Sequence, residues 1–465
     1  MSVVADVIPS GWRIDKIGKM FDSWGGHTPS KANASFWGPG LPWVSSQDVK
    51  NVRLTGSTHS VTPVAVEKTG LRVCPAGSVL VVTRSGVLAH TLPVTVTDVP
   101  VTINQDIKAF YSPEPYLAEW LAIFLRVSTQ SLLASSRRDG TTVQSIQSSL
   151  LKDIQIAVPP MPERRLIIEA IAKALETQSV IPPHLKAAER AIQRLRQAIL
   201  IAACSGRLTS DWRKERIPEE SAEALLNRIE ASRRASLGRR YRTIAIDPKD
   251  TGDVPADWTW TTPEQLLQPG RSLTYGVIKL GLPVADGIPT LRSSDVRWLR
   301  IDAEHVKRIG KDIADGYKRT YLQGGEILVT VRGSLGGVAV VPPTMKGWNI
   351  SREVAVLPFV PNVHALYFAI AIASNRSRQW LGRAAKGVAY TGVNIEDLKR
   401  LPLPFPSFDE QLEITRRTSK LLADTDALLA RVTNVSKTVE HTSQAILAKA
   451  FRGELLSSPE PAISA

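Results

Sequence analysis

Apolar and polar positions follow two rhythms along the chain, and the change from one to the other occurs twice. The first rhythm is short. Runs such as SVLVVT (Ser78–Thr83) and EILVTV (Glu326–Val331) are rich in β-branched residues and bounded by glycine, which predicts buried strands. They end in an Arg-Ser-Gly or Arg-Gly-Ser turn, at Arg84 and Arg332. Helical stretches follow, Tyr116–Ser135 and Leu366–Ala385, each leading into a basic glycine-containing loop, SSRRDGTT or GRAAKGVAYTG. Short proline-rich exits, VPPMPE and PFPSFDE, close the pattern.

The second rhythm is long, with apolar residues at the seven-residue spacing of a coiled coil. Ile414, Leu421, Leu428 and Val435 form one seam position, and Val432, Val439 and Ile446 the other. The earlier seam is Leu185, Ile192 and Ile199 with Ala188, Leu195 and Ala202. A helix from Glu410 to Phe451 would run about 63 Å at 1.5 Å per residue, too long for an ordinary core helix. Each helix has an apolar stripe to bury, and the other helix is the obvious partner.

The two rhythms recur because the chain is a duplication. At an offset of 247 residues, LPWVSSQDV (Leu41–Val49) falls on IPTLRSSDV (Ile288–Val296), and INQDI (Ile103–Ile107) on ISREV (Ile350–Val354). LKDIQIAVPPMPE (Leu151–Glu163) falls on LKRLPLPFPSFDE (Leu398–Glu410), and QAILIAACSGRL (Gln197–Leu208) on QAILAKAFRGEL (Gln444–Leu455). Two further pairs drift by one residue: Pro9 and Trp12 against Pro255 and Trp258, and GSVLVVTRSG at Gly77 against GEILVTVRGS at Gly325. The expected fold is α/β in the mixed α+β sense: two globular domains alternating with two long helices that pair as an antiparallel coiled coil, a pseudo-two-fold internal repeat. The boundaries read as a first domain over 1–160, a helix over 161–210, a spacer over 211–250 with the helical piece SAEALLNRIEASRRA, a second domain over 251–407, a second helix over 408–456 and a tail over 457–465.

Composition narrows the function. The 465 residues are 43% hydrophobic and 22% charged, which excludes disordered and low-complexity classes. Lysine and arginine number 58 against 44 acids, a net charge of +14, which favours a polyanionic partner. Cys74 and Cys204 are too few for a disulfide framework and lie in no CxxC or Cys/His cluster, so a reducing, cytoplasmic setting is expected. The amino terminus lacks the basic and apolar regions of a secretory signal, and the longest apolar stretch, Ala365–Ala373, is far short of the ~18 residues of a membrane span; no membrane association is expected. There is no GxxxxGK[ST] loop, no Asn-Pro-Pro-aromatic or Asp-Pro-Pro-aromatic motif, and no HExxH or GxSxG, and the seven histidines are scattered. The sequence offers no catalytic residues and no metal site.

The order of domains and helices resembles the specificity subunit of type I restriction-modification systems, over essentially the whole chain. The family's PPxxEQ-like exit reads PPMPERRLI from Pro159 and PSFDEQLEI from Pro406, and its AILxxAFxGxL-like helix end reads AILIAACSGRL at Ala198 and AILAKAFRGEL at Ala445. The resemblance implies a non-catalytic subunit that binds double-stranded DNA, with one recognition domain for each half of a bipartite target. It implies a helical ruler that docks two methyltransferase subunits, and restriction (translocase/nuclease) subunits that join them. S-adenosylmethionine, ATP and magnesium would serve those partners, and no cofactor is implied for this chain.

Phosphates are held by Arg, Lys and hydroxyls, and base edges are read by Arg, Asn, Gln and Ser, so the DNA-contact candidates are polar and basic residues on turns. In the first domain they are Arg84, Ser85, Arg137, Arg138, Thr141 and Thr142; in the second, Arg292, Arg332, Ser334, Arg383, Lys386, Tyr390 and Thr391. An arginine on a glycine turn is equally a solvated surface charge, but these loops recur at matching places. Ser45–Asp48 and Ser293–Asp295 read as strand-end turns, Trp12 and Trp258 as packing anchors. Arg233, Arg234, Arg239, Arg240 and Arg242 read as a solvated face that could also touch phosphate. Three departures from the family stand out: Pro182 and Pro183 should kink or break the first helix, Arg164 replaces a glutamine, and Ser407 replaces a proline. Because the domains differ between the shared blocks, an asymmetric target is expected, its half-sites about one turn or ~34 Å apart. The alternatives are a non-catalytic coiled-coil scaffold and a stand-alone DNA-modifying enzyme with an unrecognised site.

Overall fold

The computed structural model describes residues 9–136, 145–384 and 392–456. The chain forms two compact units, one of residues 1–185 and 433–465, the other of residues 186–432. The first unit draws on two separate stretches and the second on one, and both long helical stretches contribute to both.

In the first unit the largest sheet has five strands in the order Asp22–Gly25, Ile107–Tyr111, Val79–Val82, Val94–Thr97, Arg53–Leu54, antiparallel except for the last pair. Val79–Val82 is central because every residue in it is apolar and buried: Val79 and Val81 join one apolar cluster, Leu80 and Val82 another. The period of two thus serves a core on each face of the sheet. The helix Leu117–Val127 covers one face through Trp120, Leu121, Phe124 and Leu125. Beside it lies a three-stranded sheet in the order His59–Val61, Trp37–Val44, Thr102–Ile103, whose central strand is antiparallel to the first and parallel to the last. Arg13–Lys16 pairs antiparallel with Gln155–Val158 at the exit toward the helix.

The second unit repeats this plan with other residues. Its larger sheet runs Thr274–Tyr275, Val354–Leu357, Ile327–Thr330, Val338–Val340, and its three-stranded sheet runs Lys307–Ile309, Ile288–Leu291, Asn349–Ile350 with the same strand directions. Ile327 and Val329 face one cluster and Leu328 the other, and the helix Ala365–Ala373 packs on the first. Thr259–Thr261 pairs with Leu403–Phe405. Gly26 and Gly276 occupy matching places: a Cβ at either would lie 1.8 Å from the carbonyl oxygen of Ile103 or Ile350, so no larger residue fits.

The first helical stretch is two helices, Met161–Ser179 and Ile181–Cys204, separated at Val180. Pro182 and Pro183 stand in the first turn of the second piece, where a missing N–H costs no helical bond, so the expected interruption occurs just ahead of them. The second stretch is continuous from Phe408 to Phe451, 44 residues. In the second unit Arg196 Nε donates to Thr425 Oγ1 at 3.0 Å, while Arg417 donates to the Leu208 carbonyl at 2.9 Å. Numbers rise along one helix as they fall along the other, so the two run antiparallel there. In the first unit Ile167 and Ile171 share a cluster with Leu447, Ala450 and Phe451, and Gln178 meets Ser443, the same sense.

The seam between the helices is not the one the leucines outlined. Ile192 and Ile199 are buried, and Leu185 and Ile446 half-buried, as expected. Ile414 is fully buried, but in the core of the second globular domain. Leu421, Leu428 and Val435 are 37, 43 and 46% exposed, and Leu195 is 46% exposed. Thr418 and Thr425 are buried instead, continuing to half-buried Val432, Val439 and Ile446. Threonine takes the buried positions, and the leucine stripe lies three residues away, about 60° around the helix.

A buried carboxylate marks the start of the second long helix. Glu410, 1% exposed, accepts from Trp258 Nε1 at 2.7 Å and Thr209 Oγ1 at 2.6 Å and pairs with Arg213. Burial pushes its pKa up against those three partners. The matching pair in the first unit is simpler: Trp12 Nε1 donates to Glu163 at 3.1 Å. Trp12 and Trp258 are both buried, as packing anchors should be. Arg164 and its counterpart Gln411 are both fully buried; Gln411 donates to the Pro406 carbonyl, whereas Arg164 reaches Glu114 at 2.6 Å, a carboxylate that balances the introduced charge. The spacer forms a helix over Ala222–Leu237 that docks on the second core through Leu225, Leu226 and Ile229. Arg233 there is 3% exposed and bonds to the Leu267 carbonyl and Glu264, so it is no part of a solvated face; Arg234, Arg239, Arg240 and Arg242 are exposed.

Candidate nucleic-acid interface

The turn after the central strand is built the same way in both units. In the first, Thr83 N donates to the Asp106 carbonyl at 2.8 Å, Arg84 N to the same oxygen at 3.2 Å, and Ile146 N to the Thr83 carbonyl at 2.8 Å. In the second, Val331 N donates to the Glu353 carbonyl at 2.8 Å, Arg332 N to it at 3.3 Å, and Val393 N to the Val331 carbonyl at 2.8 Å. The bonds to Ile146 and Val393 tie the chain that follows each basic loop in sequence to these turns.

The side chains differ. Arg84 Nε donates to Asp106 Oδ1 at 2.7 Å, and Asp106 is in turn held by Asn104 Nδ2 at 3.1 Å. Glu353 instead accepts from Ser293 Oγ at 2.8 Å, and the Arg332 guanidinium stands 5.7 Å from the centroid of the Tyr275 ring. Tyr275 is itself fixed, its hydroxyl donating to the Val393 carbonyl at 3.3 Å and accepting from Ile395 N at 3.0 Å. Arg332 is therefore braced by an aromatic face, its edge donors bonded to none of the described residues, while Arg84 already holds a carboxylate.

Ser85 caps the following short turn by accepting from Val87 N at 3.4 Å, and Ser334 is exposed on the matching turn. Arg292 is tied to Asp295 and the His305 carbonyl beside a groove lined by Lys307 and Arg308. Arg383 lies on the helix Asn375–Ala384, 3.6 Å from Asp250, which sets it apart from the Arg332 cluster's bonding network. Arg137, Arg138, Thr141, Thr142, Lys386, Tyr390 and Thr391 lie outside the described residues. Asp48 accepts from Ser45 N and Oγ at 2.8 Å, and Asp295 from Arg292 N at 2.8 Å, the closed geometry of strand-end turns.

Sequence reasoning passed over three features of this interface. Tyr275 and Glu353 carry no motif and become neighbours of Arg332 only through the sheet. Val87 and Leu335, 39 and 48% exposed, stand on the two matching turns, where an aliphatic group suits a thymine methyl. Their equivalence could have been read from the alignment of the two halves. Among the described residues no group of three or more His, Cys, Asp or Glu could hold a metal ion, and no helix is long and apolar enough to cross a membrane.

A model of the type I restriction modification DNA specificity domain matches residues 9–181 and 287–435. The chain belongs to this family. Similar proteins include the specificity subunits of the type I restriction enzymes EcoBI and EcoDI of Escherichia coli. The first is 31% identical over 322 residues, 69% of this chain and 62% of the relative; the second is 26% identical over 347 residues, 74% and 72%. The chain thus aligns with somewhat under two thirds of the EcoBI subunit. A chain solved for complex assembly and conformational transition of the type I R-M system shares the fold, with a TM-score of 0.60 at 17% identity over 97% of this chain and 100% of that one. The two matched segments of the specificity family each contain one of the arginine turns, Arg84 or Arg332.

Proposed function

We propose that this chain is the DNA-reading specificity subunit of a type I restriction-modification complex, each unit reading one half of a bipartite, asymmetric target. The observation that carries the reading is the arginine turn, whose backbone hydrogen bonds repeat in the two units while the side chains around it differ. The repeated frame supports a shared way of meeting the phosphate backbone, and the differing side chains around it support different half-sites.

Arg332, Ser334, Arg292 and the loop bearing Lys386, Tyr390 and Thr391 serve one half-site; Arg84, Ser85 and the loop bearing Arg137, Arg138, Thr141 and Thr142 serve the other. Arg383 serves phosphate, after exchanging Asp250. The recognition domains correspond to residues 1–160 and 251–407, the helices between and after them act as the spacer, and half-sites stand on the order of one turn apart. The chain supplies no catalysis and binds no cofactor; S-adenosylmethionine, ATP and magnesium serve two methyltransferase subunits and the restriction subunits in the cytoplasm. Exposed Leu195, Leu421 and Leu428 on the helices support a docking face for those subunits.

The test is binding of duplex DNA by the chain co-expressed with an adenine methyltransferase subunit, titrated with salt. Phosphate-driven binding weakens steeply as salt rises. A complex that assembles but binds no duplex at low salt is a scaffold, and a chain that methylates or cuts DNA without partners is a stand-alone enzyme; either result overturns the reading.

A further inference from the structure

The second unit carries a loop, Ile278–Asp286, that lies outside the segments matched by the family model. It leaves the fold just after Gly276 and Val277, where Val277 N donates to the Ile350 carbonyl and its own carbonyl accepts from Arg352 N, both at 2.8 Å. Glu353, the next residue, holds the Arg332 turn. The loop returns through Gly287 into the strand Ile288–Leu291, which Arg292 follows. Both of its ends therefore meet the candidate interface.

The loop presents apolar side chains to solvent. Leu282 is 85% exposed, Ile278 56% and Val284 44%. Such exposure is costly to leave unpartnered, yet the loop is held in place: Lys307 Nζ donates to the Gly281 carbonyl at 2.7 Å, Arg308 to the Gly287 carbonyl at 3.1 Å, and Val284 N to the Arg308 carbonyl at 3.1 Å. Beside it runs a groove of about 530 Å³ lined by Pro283, Val284, Arg292, His305, Lys307 and Arg308 among others, with no carboxylate in its lining. An aliphatic tip on a pinned loop, edged by cationic side chains, suits a partner that is anionic outside and apolar between its layers. Duplex DNA is such a partner, because phosphates flank a stack of bases.

We propose that this loop is an apolar wedge, with Leu282 at its tip, that enters the minor groove beside the half-site read by the second unit and parts a base step. The proposal rests on the DNA-reading function above. The first unit has no equivalent: after Gly26, which matches Gly276, no large hydrophobic residue between 27 and 36 is exposed. The distortion is therefore one-sided, and it gives the second half-site a sequence preference by deformability at a step that no polar side chain contacts.

The test uses the full complex with its methyltransferase subunits and duplexes carrying the motif that it methylates, with 2-aminopurine placed in turn at each position in and beside both half-sites. Binding should raise fluorescence at one step beside one half-site only, and energy transfer between labelled ends should report a bend of roughly 20–90°. Ile278→Ser with Leu282→Ser should abolish both signals and weaken binding roughly ten- to a hundredfold, while Ile217→Ser, at a residue 97% exposed in the spacer, changes neither. Sequence-specific binding by the wild-type complex with no fluorescence change at any step overturns the wedge and leaves the DNA-reading function standing. So does a double variant that loses subunit assembly rather than the bend, which would make the loop a protein contact. A wild-type complex that binds no duplex overturns the function itself.

Discussion

The asymmetry between the two arginine turns makes a quantitative prediction. Arg332→Ala removes a guanidinium whose edge donors are open above the Tyr275 ring, whereas Arg84→Ala removes one whose Nε already donates to Asp106 at 2.7 Å. A bidentate base contact is worth about 1–3 kcal/mol, and a phosphate contact about one unit in the slope of log affinity against log salt. Arg84 must first give up a pair with side chains 55 and 22% exposed, and a pair so exposed is worth about 0.2–1 kcal/mol. Arg332→Ala should therefore weaken binding by about 1–3 kcal/mol, and Arg84→Ala by about 0.2–1 kcal/mol less. Asp106→Asn, which frees Arg84, should tighten binding by up to about fivefold at low salt. Fluorescence anisotropy of the complex on duplex DNA across a salt series measures all three. The reasoning fails if Arg84→Ala costs more than Arg332→Ala, or if neither changes affinity or salt slope.

Other consequences concern the frame that aims these side chains. Glu410→Ala strands Arg213 and the Trp258 N–H in a buried place and should destabilise the chain by about 3–5 kcal/mol, against about 0.5–1.5 kcal/mol for Glu163→Ala, by thermal or chemical denaturation. Gly276→Ala drives a Cβ into the Ile350 carbonyl and should cost on the order of 3 kcal/mol, visible as a lowered melting temperature or insoluble expression. Arg416, with Arg417, holds the Glu413 carboxyl down from 4.5 to about 2. A lowered carboxylate stabilises the fold above its unfolded pKa, so this contribution is complete above about pH 4.5 and is lost as pH falls toward 2; Glu413→Gln should flatten that part of an acid titration. Leu421→Ser with Leu428→Ser should lower the melting temperature only modestly, because both are more than a third exposed, and should weaken co-purification of the methyltransferase subunit.

The duplication was legible because strands impose period two wherever they are buried, and the blocks that align at 247 residues are the strands, exits and helix ends that recur. Helix direction was legible too, since a stripe 44 residues long has few partners. Its register was not. Thr418 and Thr425 are buried, while Leu421 and Leu428, more apolar in sequence, are 37 and 43% exposed. Arg233 illustrates the same blindness in a charge run: its neighbours are solvated, but one helical turn places it against Glu264 and a carbonyl. The arginine turns could be found because glycine and repetition mark them. Tyr275, Glu353 and Ser293, which decide what Arg332 has free, are brought there by strand pairing across intervals that leave no local signal.

The most direct test of the central claim is a comparison of adenine methylation, by single-molecule sequencing, in host cells with and without this gene. The account predicts a split, asymmetric motif methylated on both strands that disappears with the gene and returns when the gene and its methyltransferase partner are restored. Unchanged methylation with the partner expressed and active would contradict it.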